Sequence, residues 1–282
     1  MKTGSSRCKW LVRYTFRSFL AGIGLMNTTS SKVQSQNEVK VMMRINCFTP
    51  ILVVLIALTA CGGGGSGASA QTYPFRAALE KLTRAGSAFQ LIATGTPATS
   101  AKDGECNGVL NETDGAATIP ATFNGKVGWS SSITASIHFD NCVPADVSAS
   151  ETDYFDSNYL PIGSVVTGGN YGVYLVPPVV PESVSVGNSG VIGTLSFFTD
   201  STMATPDGHA DRTYVIEPDT SATAIANAIS KVYDATGVLT STSQVRYRID
   251  IKGNLSIISQ ELVQINGSGT TRLVFRCAQS SC

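Results

Sequence analysis

The sequence predicts a mainly β protein, an antiparallel sandwich or open barrel, with a short N-terminal helix. Three observations favour this class. Apolar and polar residues alternate in several segments, glycine, asparagine and aspartate separate these segments as turn residues, and only 14% of the residues are charged.

The segment Pro74–Ala85 predicts the helix. Proline suits the first turn of a helix, where its missing amide proton is not needed, and Gly86 suits the end. The apolar residues of the segment recur at helical spacing; they are Phe75, Ala78, Leu79 and Leu82.

Two segments alternate cleanly, as strands with one buried face do. In Ile133–Asn141 the apolar positions are Ile133, Ala135, Ile137 and Phe139. In Val245–Lys252 they are Val245, Tyr247, Ile249 and Ile251. Further strands are expected near residues 172–176, 191–198, 213–216, 255–265 and 271–276, with turns at 234–237, 252–254 and 266–269.

The segment Thr220–Tyr233 fits two interpretations. As a helix it places Ile225, Ile229 and Val232 on one face, and as a strand it places Ile225, Ile229 and Tyr233 on one side. We favour the strand because a hairpin turn and another strand follow.

The charge balance changes at Cys61. The residues before it contain eight lysines and arginines and one acidic residue, whereas those after it contain twelve basic and nineteen acidic residues, a net charge near −7. An acidic body argues against general nucleic-acid binding, which needs a basic surface. The roughly 210 residues after the linker are enough for one sizeable domain.

An uncharged apolar run, Ile51–Ala60, is too short to span a bilayer and is typical of the hydrophobic region of a signal peptide. It ends in Leu58-Thr59-Ala60-Cys61. This motif resembles the lipobox of bacterial lipoproteins. The alternative is a plain signal peptide, or a buried strand with a chance cysteine.

The resemblance implies that Cys61 carries lipid, with fatty acids such as palmitate, and becomes the mature N-terminus. Two or more acyl chains give stable membrane anchoring. By the family's sorting rule, Gly62 in place of aspartate implies the outer membrane, with the periplasmic face favoured over the cell surface. The strands around Arg246-Tyr247-Arg248-Ile249 also resemble uncharacterised envelope lipoproteins of Gram-negative bacteria, a likeness that implies no activity.

These features divide the chain into four parts. Residues 1–41 are interpreted as a mis-called N-terminal extension with translation starting at Met42 or Met43, the alternative being a genuine extension that includes Leu11–Gly24. Residues 42–60 are the signal peptide. Residues 61–71 are the lipidated cysteine and a flexible glycine-rich linker, and residues 72–282 form a single β-rich domain.

Four cysteines remain after Cys61. An even number in an exported domain favours disulfides, and three pairings are open. We favour Cys106–Cys142 and Cys277–Cys282 because the members of each pair are close in sequence. A metal site of these thiols is not expected, because the Cys-x-x-Cys spacing is absent.

Candidate chemistry is sparse. His138 and Asp140 lie two residues apart on the polar face of a predicted strand, but no nucleophile motif accompanies them, so we expect a solvated sheet face. Asp200–Asp211 is expected to be a turn-rich loop. It offers Asp207, His209 and Asp211 as weak candidate metal ligands, without the EF-hand order.

Two surfaces are further candidates. An aromatic stretch would suit sugar binding but is expected to be core; it comprises Asp153-Tyr154-Phe155-Asp156, Tyr159, Tyr171 and Tyr174. A basic stripe for an anionic ligand is expected only if the strands that carry it pair; its residues are Arg246, Arg248, Lys252, Arg272 and Arg276.

The sequence therefore predicts a membrane-anchored envelope lipoprotein, a non-enzymatic binding or structural module facing the periplasm. The membrane is its expected partner, together with an envelope glycan or protein, and neither nucleic acid nor a cofactor is expected. The alternative is an envelope hydrolase or metal-dependent enzyme that uses the Asp207/His209/Asp211 loop.

Overall fold

The computed structural model describes residues 71–96, 106–140, 146–266 and 269–278. These residues form helix α1 (Phe75–Ala85) and fifteen strands. The strands are β1 (Thr72–Tyr73), β2 (Ser87–Thr96), β3 (Cys106–Asp114), β4 (Ile119–Phe123), β5 (Lys126–Phe139), β6 (Asp146–Asp156), β7 (Pro161–Val166), β8 (Tyr171–Val173), β9 (Val184–Ser185), β10 (Ser189–Phe198), β11 (Pro206–Pro218), β12 (Thr223–Tyr233), β13 (Leu239–Asp250), β14 (Leu255–Asn266) and β15 (Gly269–Arg276).

Twelve of the described strands form one antiparallel sheet that closes into a barrel. The order is β2-β3-β5-β6-β7-β8-β10-β11-β12-β13-β14-β15, and β15 pairs with β2. The remaining strands are peripheral: β4 forms a hairpin with β5, and β1 pairs with β9. The predicted mainly β, antiparallel class is therefore confirmed, and the pairing of β3 with β5 completes the barrel.

Most predicted elements are confirmed. The helix occupies Phe75–Ala85, and the ambiguous segment is a strand, Thr223–Tyr233. One predicted inward position is wrong: Ile251 lies in the turn after β13 and is exposed. On β12, Ile225, Ile229 and Tyr233 share one side, as the strand interpretation expects. This side is the outer face, because Ala224, Ala226 and Ala228 fill the inner face.

Alternate residues of the barrel strands point inward and form the core. On β5 the predicted inward residues from Ile133 to Phe139 are buried, while the serine, threonine and histidine residues between them are exposed. Side chains from distant strands meet inside; Leu110 of β3 and Phe275 of β15 belong to one apolar cluster.

Helix α1 lies across one end of the barrel. Phe75 and Ala78 are buried against residues of β10 to β13, and Lys81 donates a hydrogen bond to Asn254 at 2.5 Å. At its end, Gly86 adopts a φ of +69°, and an added Cβ would lie 2.5 Å from the carbonyl oxygen of Asp114. A glycine is therefore needed where the helix passes over β3.

No helix in the described ranges is long and apolar enough to cross a membrane.

The hairpin of β4 and β5 also packs on the outside of the barrel. Phe123, at its turn, stacks on Tyr154 and Tyr171 with ring centroids 4.3 Å and 4.8 Å away. These tyrosines occupy outward positions on β6 and β8, so the hairpin covers an apolar patch of the outer face.

Gly163→Ala is expected to destabilise this contact by about 2 kcal/mol or more. An added Cβ would lie 2.3 Å from the Gly172 carbonyl oxygen and 2.3 Å from the Phe123 ring. Gly172→Ala is the matched control, because its Cβ would meet only the side chains of Leu195 and Ser164, at 3.2 Å. Urea unfolding followed by circular dichroism compares the two variants, and equal stabilities would contradict the close approach at Gly163.

Candidate ligand site inside the barrel

Four carboxyl groups lie inside the barrel, where the strand pattern otherwise places apolar side chains. Glu112 and Asp114 are inward residues of β3, and Glu151 and Asp153 are inward residues of β6. The two strands flank β5, whose Ile133 lies opposite both Asp114 and Glu151. We call these four residues the interior carboxyl cluster.

Small neighbours make room for the cluster. Glu112 lies opposite Ala135 of β5 on one side and opposite Phe89 of β2 on the other, and Ala135 lies opposite Ala149 of β6. The small side chains therefore lie on the β5 side of the glutamate. Asp153 lies between Ser131 and Ser164 in the neighbouring ladders. The local sequence thus gives the carboxyl groups both space and hydroxyl neighbours.

Burial dominates the electrostatics of the cluster. It raises the pKa of Glu112 well above the ordinary glutamate value, and the neighbouring Asp114 and Glu151 raise it further. Burial likewise raises the pKa of Asp153, with Glu151 adding to the effect, and raises the pKa of Asp114 to about 6. Carboxyl groups of this kind hold protons at a pH where exposed ones are ionised.

One cation faces the cluster from the opposite wall. Among the described residues, Arg212 of β11 is the basic side chain that is buried. Its charge lowers the pKa of Asp153, and its guanidinium carbon lies 5.7 Å from the centre of the Tyr174 ring. A single guanidinium does not balance four carboxyl groups, so retained protons or a bound cation must neutralise the rest.

Glu112 and Asp114 hydrogen-bond to one another, and Asp114 also accepts a hydrogen bond from Ser87. Ser164 Oγ makes no hydrogen bond within the described part of the chain. Ser164 is only 1% exposed, and it lies directly opposite Asp153 on the same inner face. Buried polar groups are normally paired with protein, water or ligand, so this hydroxyl marks a place where a further molecule can bind.

Two adjoining recesses lie between α1 and the barrel interior. The first has a cavity volume of about 50 Å³ and combines Asp114, Asp153 and Tyr247 with apolar walls. The second has a cavity volume of about 30 Å³ and contains Arg212 and Tyr174. Both are partly open to solvent, and both are lined by the same face of α1. Each has room for a few water molecules or for a ligand of similar size.

The predicted aromatic stretch divides between core and surface. Phe155 and Tyr174 are buried inside, as expected for core residues, and Tyr154 and Tyr171 pack on the outer face with Phe123. Tyr159 stacks on Trp129 at 5.8 Å, and the Arg84 guanidinium lies 4.1 Å above its ring. Within the segment Asp153–Asp156, Asp153 and Phe155 line the interior recess.

His138 and Asp140 lie at the outer surface, as predicted. The nearer partner of the histidine is Asp146, whose Oδ1 lies 2.7 Å from Nδ1, while Asp140 Oδ1 is 3.8 Å from Nε2. The hydrogen bond with Asp146 raises the pKa of His138. The pair is exposed and remote from the interior carboxyl cluster, since His138 occupies an outward position on β5.

The predicted loop Asp200–Asp211 is wrong in its second half. Strand β11 begins at Pro206, so the weak candidate metal ligands lie on a strand; they are Asp207, His209 and Asp211. The alternation of β11, in which Ala210 and Arg212 are inward, turns these candidates toward the other face. The sequence suggested a loop because proline, aspartate and glycine occur together at the strand entrance.

The three side chains have separate partners rather than a shared centre. Asp207 accepts a hydrogen bond from Asn170 at 2.6 Å, His209 stacks on Tyr233, and Asp211 accepts one from a threonine of β10 at 2.8 Å. In the residues that the structure describes, no group of three or more histidine, cysteine, aspartate or glutamate residues could hold a metal ion.

The predicted basic stripe does not form, because β14 lies between β13 and β15. Acidic neighbours also interrupt it. Arg248 is paired with Asp219 and Arg272 with Glu261, each at 2.7 Å, and Lys252 lies in the turn after β13. The hydrogen bond from Arg272 lowers the pKa of Glu261, and Arg246 and Arg276 lower it further.

The structure describes only some of the cysteines in the two predicted disulfides. Cys277 is disulfide-bonded, and its partner is not among the residues whose side chains are described. Cys142 and Cys282 lie outside the described residues, so both predicted pairings stay predictions. The extension, the signal peptide and Cys61 also lie outside them.

Sequence reasoning missed the interior carboxyl cluster and Arg212. A signal was present: Glu112 and Asp114 continue the alternation that begins at Leu110, and Asp153 continues the one that ends at Phe155. Acidic residues in phase with the apolar positions of a strand indicate buried carboxyl groups.

Together, the fold and this interior define a class: a closed, twelve-stranded antiparallel barrel, capped by a helix and containing an acidic interior site. Larger barrels of this kind can enclose ligand cavities. No protein-family model, curated protein or solved structure matches the chain.

Proposed function

We propose that the protein is a lipid-anchored, non-enzymatic binding module of the bacterial envelope, which holds a small ligand inside its barrel beneath α1. The observation that carries the binding role is the recess lined by Asp114, Asp153 and Tyr247, near the buried Ser164 hydroxyl, which has no hydrogen-bond partner among the residues that the structure describes. A purely structural barrel would gain stability from an apolar interior at these positions.

The location rests on the sequence. The lipobox-like Leu58-Thr59-Ala60-Cys61 and the following glycine linker support anchoring in the outer membrane with the domain facing the periplasm. The acidic mature chain supports a partner other than nucleic acid.

Cys61→Ser is expected to abolish incorporation of labelled palmitate and to release the protein from the membrane fraction, because the thiol that receives the lipid is lost. Cys47→Ser is the matched control: it lies in the predicted signal peptide and should leave labelling unchanged. Intact-mass analysis should place Cys61 at the mature N-terminus. Labelled Cys61→Ser protein would refute the anchor.

Native mass spectrometry tests the binding role on protein extracted from its own membranes in mild detergent. A retained small molecule, lost on denaturation, is the expected result. Protein that carries no small molecule and whose thermal unfolding responds to none of a panel of envelope metabolites would overturn the proposal.

A further inference from the structure

We infer that the domain docks on the lipid bilayer that holds its anchor, through exposed aliphatic side chains beside the point where the chain enters the domain. We call these side chains the aliphatic patch; they are Leu175, Val176, Val179, Val186 and Val191. The inference rests on the lipid anchor of the proposed function and adds the surface that faces the membrane.

The first reason is the clustering of exposed apolar surface. Four side chains of the patch are 61% to 75% exposed, and Val186 is 46% exposed. The structure describes eleven exposed large apolar side chains in all. These five fall between residues 175 and 191, and the other six are spread over the rest of the described chain. Scattered exposed apolar residues are ordinary, whereas a cluster indicates an interaction surface.

The segment after β8 brings the patch together on the outer wall. It runs along β10, since the Val179 amide donates a hydrogen bond to the Ile192 carbonyl oxygen at 2.7 Å. A Cβ added at Gly193 would lie 3.5 Å from the Pro178 Cα, which shows how closely the two pieces of chain approach. Val191 precedes the buried Ile192 and points outward, so it lies beside Val179.

The second reason is the position of the chain entry. Strand β1 pairs with β9, and the register sets Thr72 opposite Ser185, so the next position brings Gln71 beside Val186. Cys61 lies ten positions before Gln71 in the sequence. Ten residues span at most about 36 Å. A lipid on Cys61 would therefore hold this side of the domain close to the bilayer.

The third reason is the chemistry of the patch, which suits hydrocarbon. Residues 171–199 contain one charged residue, Glu182, and it is paired with Arg76 at 3.9 Å. By contrast, the outer face of β14 and β15 carries the Arg272–Glu261 ion pair. The patch consists of leucine and valine alone, without the tryptophan, tyrosine and arginine side chains that dominate binding between proteins. Burial of aliphatic surface, rather than charge, would hold this acidic domain on lipid.

Fluorescence quenching by lipid tests the docking. Protein carrying Val176→Trp is purified from its own membranes with the lipid attached and reconstituted into vesicles of phosphatidylethanolamine and phosphatidylglycerol, with or without bromine on the acyl chains. Bromine quenches a tryptophan that reaches the acyl chains. The added tryptophan should be quenched at least about twofold, because the patch enters the boundary between headgroups and acyl chains. Unsubstituted protein gives the background, since Trp129 is the one tryptophan after Cys61.

Val238→Trp is the matched control. Val238 is also an exposed valine, but it lies in the turn between β12 and β13. Helix α1 is at the other end of β13, where Lys81 donates a hydrogen bond to Asn254. A tryptophan at position 238 should therefore show no quenching above background.

The outcomes separate the docking surface from the anchor. If the protein floats with the vesicles but Val176→Trp and Val179→Trp are both unquenched, docking is overturned and the anchor stands. Quenching at position 238 equal to that at position 176 would overturn docking too, because no surface would be selected. Blue-shifted but unquenched emission would mean that a second copy or another protein covers the patch, against the inference. Protein that does not float with the vesicles would overturn the anchor, and docking with it.

Discussion

The free energy of unfolding is expected to fall by several kcal/mol as the pH rises from about 4 to about 8. Burial raises the pKa of Glu112, Asp114 and Asp153 above the values these groups have in an unfolded chain. The folded protein therefore binds more protons than the unfolded chain across this range. The stabilisation is complete below the unfolded pKa values and is lost as the pH rises through the folded ones.

Asp114 gives the scale of the effect. Its pKa rises from 3.8 to about 6, and a shift of that size corresponds to about 3 kcal/mol. Glu112 and Asp153 also lower the free energy of unfolding as the pH rises. The contribution of Asp153 is reduced by Arg212, because the guanidinium favours the ionised carboxylate. The phenol of Tyr247, also facing the cluster, has its pKa raised by burial and titrates above this range.

Urea unfolding at a series of pH values measures this dependence. The double variant Glu112→Gln/Asp114→Asn should flatten it, because neither amide titrates. His138→Gln and Asp207→Asn are controls for two other groups that act with the same sign. The hydrogen bond with Asp146 raises the pKa of the exposed His138, and burial raises the pKa of Asp207. Stability of the native chain that stays constant or increases between about pH 4 and about pH 8 would contradict ionisable carboxyl groups in the interior.

Exposed aspartates act in the opposite direction at lower pH. Hydrogen bonds lower the pKa of Asp219, Asp234 and Asp250, so their contribution is present above the unfolded pKa and lost as the pH falls through the folded one. These aspartates change the free energy of unfolding below about pH 4, so they do not hide its fall between about pH 4 and about pH 8.

Phe75→Ala is expected to cost about 3–5 kcal/mol in the stability of the docked helix. Phe75 is 1% exposed and its ring centre lies 5.5 Å from that of Tyr214. An isolated helix of eleven residues is marginal in water, so α1 depends on this docking to remain helical. We expect the helix to detach while the barrel retains its strands.

Limited trypsin digestion measures this release, because the peptide bonds after the exposed Lys81 and Arg84 become cleavable when α1 detaches and unwinds. Phe75→Leu is the matched control, since it keeps most of the buried apolar volume and should be cleaved far more slowly. If Phe75→Ala protein resists cleavage as native protein does, the helix is held by its other contacts. The same variant should also weaken ligand binding, because Leu79 and Leu82 line the recess.

Local pattern was enough to predict β5, β8 and the strands from β10 to β15, whereas others, among them β3 and β6, were not predicted. The alternation from Ile133 to Phe139 places every second side chain on one face, and the structure buries that face. The helix at Phe75–Ala85 was predicted for a similar reason, because its spacing and flanking proline and glycine are local signals. On β12 the pattern gave which residues share a side but not which side is inner: small residues, among them Ala226 and Ala228, fill the inner face, and the larger Ile225 lies on the outer face.

The site was largely beyond sequence reasoning. Glu112 and Asp153 belong to strands that meet only through β5, and Arg212 reaches them from the opposite wall. In the sequence, each of these residues looks like an ordinary polar side chain on a strand. Their burial, and hence their raised pKa values, arises only when the barrel surrounds them.

The sequence by itself determined the mainly β class, the cleanly alternating strands such as β5 and β13, which of their residues share a face, and that one helix precedes the sheet, since each follows from contacts between residues close along the chain. The tertiary structure alone decided between sandwich and barrel. Both bury the same alternate residues, and the difference rests on two pairings: β3 with β5, and β2 with β15 from the far end of the chain. Closing that last pair encloses the acidic residues, because a closed sheet gives its inward side chains no edge through which to reach water.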